Sequence, residues 1–164
     1  MRILPFEPRH ADAWRDLNTA WISKYFTLEA KDHEALNDPV GKILSKGGHI
    51  LMAETDDGEA IGCVGLLALS DGGFEVAKMT VSEAARGTGL GRLLMQACID
   101  KAADLGAPRL YLETNSSLAP ALGLYRAMGF VDLPWRETPY ARADVFMERP
   151  IDDAPPPGEL SRSD

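Results

Sequence analysis

Cysteine is nearly absent from this chain of 164 residues, which has only Cys63 and Cys98. Two cysteines build neither a disulfide framework nor a metal quartet, a usage that suits a reducing compartment. Histidine is almost as scarce, and His10, His33 and His49 stand at no metal-ligand spacing. No apolar run reaches the ~18 residues of a membrane span, and Arg2, Glu7 and Arg9 stand where a secretory signal would have its apolar core. Positive charge is also short. Lys and Arg number 17 against 25 Asp and Glu, a net charge of −8 with a pI near 4.9. Such a balance disfavours nucleic acid and anionic membrane as general partners and weakly favours a cationic one. Self-similarity at a period of roughly 20 to 50 residues is missing too, which excludes repeat architectures. What is present is 45% hydrophobic and 26% charged residues, shares that exclude wholesale disorder. The length and composition predict one well-packed, soluble, cytoplasmic domain.

Local patterns predict a strand at 2–5 and an amphipathic helix over 12–26, where Trp14, Leu17, Trp21 and Tyr25 recur at three- and four-residue spacings. A short helix at 30–36 ends before the breaker Asp38-Pro39. Strands follow at 49–54, 60–70 and 74–81, separated by Asp57-Gly58 and Asp71-Gly72, pairs that favour hairpins because those turns need positive φ. Residues 90–105 then carry a helical period from Leu90 through Leu94 and Cys98 to Leu105, stopped by Gly106 and Pro108. A strand at 109–114, a helix ending at Met128 with Gly129 as its cap, and extended segments from 130 and at 143–148 complete the order. A meander followed by strand–helix–strand–helix–strand predicts an α/β (α+β) domain over 1–149, with a mixed sheet. The proline-rich polar segment 150–164 is expected to be a tail outside the core.

The most informative residues are Arg86-Gly87-Thr88-Gly89-Leu90-Gly91-Arg92, between a strand end and the long helix. Alternating glycines let backbone N–H groups converge with no Cβ in the way, and the helix N-terminus adds free donors and partial positive charge. Arg86 and Arg92 bracket the loop, which reads as a pyrophosphate cradle in an otherwise acidic protein. The dinucleotide fingerprint fails, because the third glycine counted from Gly87 falls on Arg92. A Walker A loop fails as well, since Gly91 is followed by Arg92 and Leu93.

What fits is R-x-x-G-x-G, read at Arg86, Gly89 and Gly91. Here the sequence resembles the GNAT N-acetyltransferase superfamily, whose loop of this form holds the pyrophosphate of acetyl-coenzyme A. A second element agrees: Ala121, Leu124, Tyr125, Gly129 and Phe130 match the family's A-x-x-L-Y-x-x-x-G-F helix. The resemblance spans about 1–149 and is most specific over 74–131. It implies a mostly antiparallel central sheet flanked by helices, with acetyl-coenzyme A as cosubstrate and no metal. Cofactor contacts would come from Met79, Thr80 and Val81 on the strand before the loop, from the loop residues Arg86, Gly87, Thr88, Gly89, Leu90, Gly91 and Arg92, and from Asn115. The family's usual asparagine position holds Leu118 here, and Asn115, one helical turn earlier, either reaches the cofactor or caps the helix.

The same resemblance makes Tyr125 the acid that protonates the departing thiolate and Glu75 a candidate general base, with a water chain as the alternative. Strand alternation places Glu75, Ala77, Met79 and Val81 on one face. Tyr25, Phe26, Tyr140 and Arg142 would lie on the acceptor side, Arg142 receiving an acceptor carboxylate or forming an ion pair. The expected activity is acetyl transfer to a primary amine of a small molecule, by direct attack in a ternary complex, from a monomer or homodimer. The alternatives are acetylation of a protein N-terminus or lysine, and a non-catalytic acyl-coenzyme A sensor.

Overall fold

In the computed structural model, which describes residues 1–151, seven strands form one sheet in the order β1-β2-β3-β4-β5-β7-β6. The strands are β1 (Arg2–Pro5), β2 (His49–Glu54), β3 (Ala60–Ala68), β4 (Phe74–Val81), β5 (Arg109–Thr114), β6 (Val131–Leu133) and β7 (Val145–Pro150). Every neighbouring pair is antiparallel except β4 with β5. That one parallel pair follows from the crossover between them, since a helix must carry the chain back to start the second strand. The expected mixed, mostly antiparallel sheet is therefore present.

Helices α1 (Ala11–Tyr25), α2 (Ala30–Asn37) and α3 (Pro39–Lys42) cover one face, while α4 (Leu90–Asp104) and α5 (Ala119–Ala127) cover the other. On the α4 side, Leu90, Leu94, Met95, Cys98 and Ile99 pack on Leu51, Val64, Leu66 and Leu110, so the helical stripe read from sequence is buried at Leu90, Leu94 and Cys98, while Leu105 at its end is 48% exposed. On the α1 side, Trp14 is fully buried among Ile22, Leu36, Ile43 and Ile50, and its indole N–H donates to the Ala35 carbonyl at 3.1 Å. Satisfying that single polar atom ties α1 to α2 inside an apolar cluster. Among the described residues no helix is long and apolar enough to cross a membrane.

Strand β4 departs from simple alternation. Gly65 faces Ala77 and Cys63 faces Thr80, so Val64 opposes two residues, Lys78 and Met79. Lys78 takes φ +58, the only positive φ outside glycine among the described residues. This β-bulge shifts the side chains by one place. Phe74 and Val76 before the bulge share the α4-side cluster with Met79 and Val81 after it, whereas Glu75 and Ala77 belong to the opposite face. The expectation that Glu75, Met79 and Val81 share a face is thus corrected, because period-two counting fails across an inserted residue.

The last strand runs to Pro150, which pairs with Arg109, and Ile151 is buried in the α4-side cluster. The sheet therefore takes in Pro150 and the core takes in Ile151, two residues that the composition assigns to the tail. The remainder of that segment, 152–164, lies outside the described residues.

Candidate active site

Strands β4 and β5 pair only at Phe74–Leu110 and Glu75–Tyr111. Beyond Tyr111, β5 keeps β7 as its partner along its whole length but leaves β4. The bulge at Lys78 turns β4 away near this point, and the divergence opens a cleft. Both strand edges border it, β4 from Glu75 to Thr80 and β5 from Leu112 to Thr114. Backbone groups in such a gap lack a sheet partner and are available to a ligand.

The glycine loop lies just past the end of β4. Gly87 and Gly89 adopt φ +79 and +86, and a Cβ built on either would meet no atom within 4 Å. The left-handed backbone explains why glycine stands at both positions, and the open space is what a ligand would fill. Gly89 is the N-cap of α4, and no side chain caps that 15-residue helix. Its first N–H groups therefore keep the donors and the partial positive charge that bind an anion. Arg86 and Arg92 are exposed, and Arg86 reaches only the Tyr25 hydroxyl, at 3.4 Å. The Thr88 hydroxyl donates to the Ala85 carbonyl, closing the loop on itself. A Lys24–Glu83 ion pair at 2.9 Å joins α1 to the turn before the loop.

Glu75 and Tyr125 both border the cleft, and neither makes a hydrogen bond to the protein among the described residues. Burial pushes the Glu75 carboxyl up to about 7, helped by the charge of Glu113 and opposed by Lys78. A carboxylate near neutrality is a serviceable base. Burial also pushes the Tyr125 phenol up to about 12, so it stays protonated and able to donate. The Tyr125 ring packs at 6.0 Å from Phe130, fixed by the helix end that both residues frame.

The side of the cleft at Lys78 and Arg142 is roofed by α2 and the loop before β7. Asp32 is fully buried and accepts from Lys78 Nζ, from both terminal nitrogens of Arg142 at 2.8 and 2.7 Å, and from the Glu29 N–H at 2.8 Å. Glu29 in turn accepts from the Ala141 N–H and from Arg142. Arg142 does border the cleft, but its guanidinium is spent on Asp32 and Glu29. Of its two expected roles the structure supplies the ion pair. Phe26 and Tyr140 line the cleft, as does Trp21; Tyr25 does not, being 45% exposed and turned toward Arg86. Asn115 borders the cleft with its carboxamide engaged, donating to the Arg142 carbonyl at 2.6 Å and accepting from the Ser117 N–H at 2.8 Å.

Two residues of the site, one in the roof and one lining the cleft, escaped the sequence reading. Asp32 looked like an ordinary polar residue of a short helix, and only its burial reveals it as the node of the roof. Glu113 alternates with Tyr111 on β5, a pattern that marks a shared face but not what that face meets. Among the described residues no group of three or more His, Cys, Asp or Glu side chains could hold a metal ion.

A profile of the Acetyltransferase (GNAT) family matches residues 10–130. The chain belongs to the GNAT family. Both motifs read from sequence fall inside the matched span, and the resemblance they carried is borne out. The IAA acetyltransferase of Azospirillum brasilense is 35% identical over 99 residues, covering 57% of this chain and 63% of the relative, less than two thirds of its length. An uncharacterised N-acetyltransferase of Escherichia coli K12 is 31% identical over 139 residues, 79% of this chain and 83% of its own. In fold, a Salmonella typhimurium protein solved with its cofactor acetyl-CoA superposes with a TM-score of 0.72 at 20% identity, over 96% of this chain and 97% of its own. As a GNAT protein the chain is an acyltransferase enzyme.

Proposed function

We propose that this GNAT enzyme transfers the acetyl group of acetyl-coenzyme A to a primary amine of a small molecule, by direct attack in a ternary complex. The observation that carries the reading is the cleft between β4 and β5, which has on its lining a carboxyl and a phenol unpartnered among the described residues, with an uncapped, glycine-lined helix start just past the end of β4.

The residues present fit the cosubstrate. The space above Gly87 and Gly89 would take a pyrophosphate that a Cβ would exclude, held by loop N–H groups with Arg86 and Arg92 on its flanks. The free edge of β4 at Met79, Thr80 and Val81 would offer backbone groups to the pantetheine arm. When bound, acetyl-coenzyme A supplies an acetyl group activated as a thioester. Glu75 would take the proton that the amine must lose, leaving the nitrogen lone pair free to form the new N–C bond. As the C–S bond breaks, its electron pair stays on sulfur, and the Tyr125 hydroxyl stands ready to protonate it. Backbone N–H groups of the diverged β4 would hold the negative charge that builds on the carbonyl oxygen.

The roof supports a small acceptor over a protein tail, because Asp32 and Glu29 pin α2 to the loop around Arg142 across the acceptor side. The name of the Azospirillum relative, with 35% identity, also favours a small molecule. The test is coenzyme A release with acetyl-coenzyme A and a panel of amines and amine-bearing peptides. Turnover is expected with small amines; turnover with peptides alone would overturn the acceptor class, and binding without any turnover would make the chain a sensor.

A further inference from the structure

We infer that Glu113 is a positioning residue for the acetyl transfer, setting through its charge the pH at which Glu75 accepts the amine's proton. This rests on the reading of Glu75 as the base.

The geometry starts from strand pairing. Glu75 lies opposite Tyr111 in the only parallel pairing of the sheet, and Glu113 follows two residues later on the same face of β5. Both carboxyls border the same cleft. Glu113 is held from two elements: its Oε2 accepts from the Tyr111 hydroxyl at 2.8 Å, and its Oε1 accepts from the Thr138 hydroxyl of the loop before β7. Two hydroxyl donors, one on each oxygen, are what a carboxylate anion accepts, whereas a neutral acid must donate from one of them. The Thr138 oxygen also accepts from the Tyr140 N–H at 3.2 Å, which fixes the loop that delivers it.

The other charges facing Glu75 are largely committed elsewhere. Lys78 on its own strand lies against Asp32 of α2 and above the Tyr140 ring. Arg142 is bound to Asp32 and Glu29, and Arg136 sits over the Tyr111 ring at 4.9 Å. Tyr111, Tyr125 and Tyr140 are phenols whose titration burial pushes upward, so they add no charge near neutral pH. Neither Glu75 nor Glu113 is paired with a cation among the described residues. After burial, the Glu113 charge is the largest influence raising the Glu75 carboxyl, and Lys78 opposes both. One negative charge in a partly desolvated cleft disfavours a second, so beside Glu113 the Glu75 carboxyl holds its proton longer.

The experiment is the pH dependence of kcat/KM in the full chain, carried out with one amine so that the acceptor's own ionisation cancels between variants. Glu113→Gln is expected to move the acid limb to lower pH by about one unit, and Glu113→Asp, which keeps the charge, to leave it near its original place. The KM for acetyl-coenzyme A should hold in both. A Glu113→Gln enzyme that is slower at every pH with an unmoved midpoint would overturn the inference and leave Glu113 a structural residue. Glu75→Gln is the control for the parent reading: if it keeps the limb, Glu75 is not the base, whatever Glu113 does. Should Glu113→Gln fail to fold, carbon-13 labelling of the glutamate carboxyls in the intact protein gives the same answer. The Glu75 signal should move through a transition near neutral pH, and a Glu75 transition there that the Glu113 signal does not sense would overturn the coupling.

Discussion

The ammonium of Lys78 lies 2.5 Å from Asp32 Oδ1, with the two side chains 6% and 0% exposed. The lysine that makes this contact is also the residue that takes φ +58 and breaks the regular pairing of β4. A left-handed lysine costs about 1 to 2 kcal/mol of backbone energy. The bond to Asp32 offsets that cost by directing the side chain under α2, and the same turn opens the cleft. Fold and site are therefore coupled at one residue.

Asp32→Asn is expected to destabilise the domain by roughly 3–5 kcal/mol, because Lys78 would remain buried without its anion and Arg142 would keep only Glu29. Burial alone would raise the Asp32 carboxyl, but hydrogen bonds from Arg142 and Lys78 outweigh it and hold the group well below the usual carboxylate range. A depressed folded value stabilises above the unfolded one, so the difference between wild type and variant should be full above about pH 4 and shrink as pH falls. Urea unfolding at pH 7 and pH 3 checks both parts. Equal midpoints at pH 7 would show that the roof carries no stability.

The elements that were legible in the sequence are those whose causes are local. The Arg86–Arg92 loop announces itself because left-handed backbone at Gly87 and Gly89 demands glycine. The α4 stripe does so because burial on one face repeats every three or four residues. The Lys78 bulge left no such mark, since its partner Asp32 is 46 residues away and no local rule favours lysine at positive φ. Arg142 was visible as a residue of the acceptor loop, but its two carboxylate partners lie 110 and 113 residues earlier. Long-range ion pairs have no periodicity to read.

Gly89→Ala should weaken coenzyme A binding at least roughly tenfold while the domain stays folded, since the added methyl would enter space that the protein leaves open. The backbone strain of that change is separable from the loss of the site. Gly58, in the hairpin between β2 and β3, has the same φ of +86 and equally open surroundings. Gly58→Ala should cost similar stability, about 1–2 kcal/mol, with no effect on affinity. Isothermal titration and melting of the two variants side by side decide the matter, and equal affinities would remove the loop from the cofactor site.

Tyr125→Phe should leave stability within about 0.5 kcal/mol of wild type, because the hydroxyl has no hydrogen-bond partner among the described residues and the ring keeps its packing on Phe130. The expected fall in kcat is roughly 10- to 1,000-fold. With the phenol pushed up to about 12 by burial, it stays protonated through the neutral range, so the deficit should be the same from about pH 6 to 9. Full kcat in the variant would make Tyr125 a packing residue.

Glu75 places the demands of catalysis against those of stability. Its carboxyl rises from 4.5 to about 7 on folding, through burial and then the charge of Glu113, with Lys78 opposing. Between those two values the folded protein holds a proton that the unfolded chain has released, so stability declines as pH rises across that window. Above about pH 8 the carboxyl is ionised in both states and the whole loss is present, on the order of 3 kcal/mol. Glu75→Gln cannot ionise and should escape it. The variant is expected to match wild type in urea at pH 4.5, to exceed it by that amount at pH 8, and to be the less active enzyme at both. A stability difference that does not change with pH would mean that the Glu75 carboxyl titrates alike in the folded and unfolded chain, and its claim to be a base near neutrality would go with it.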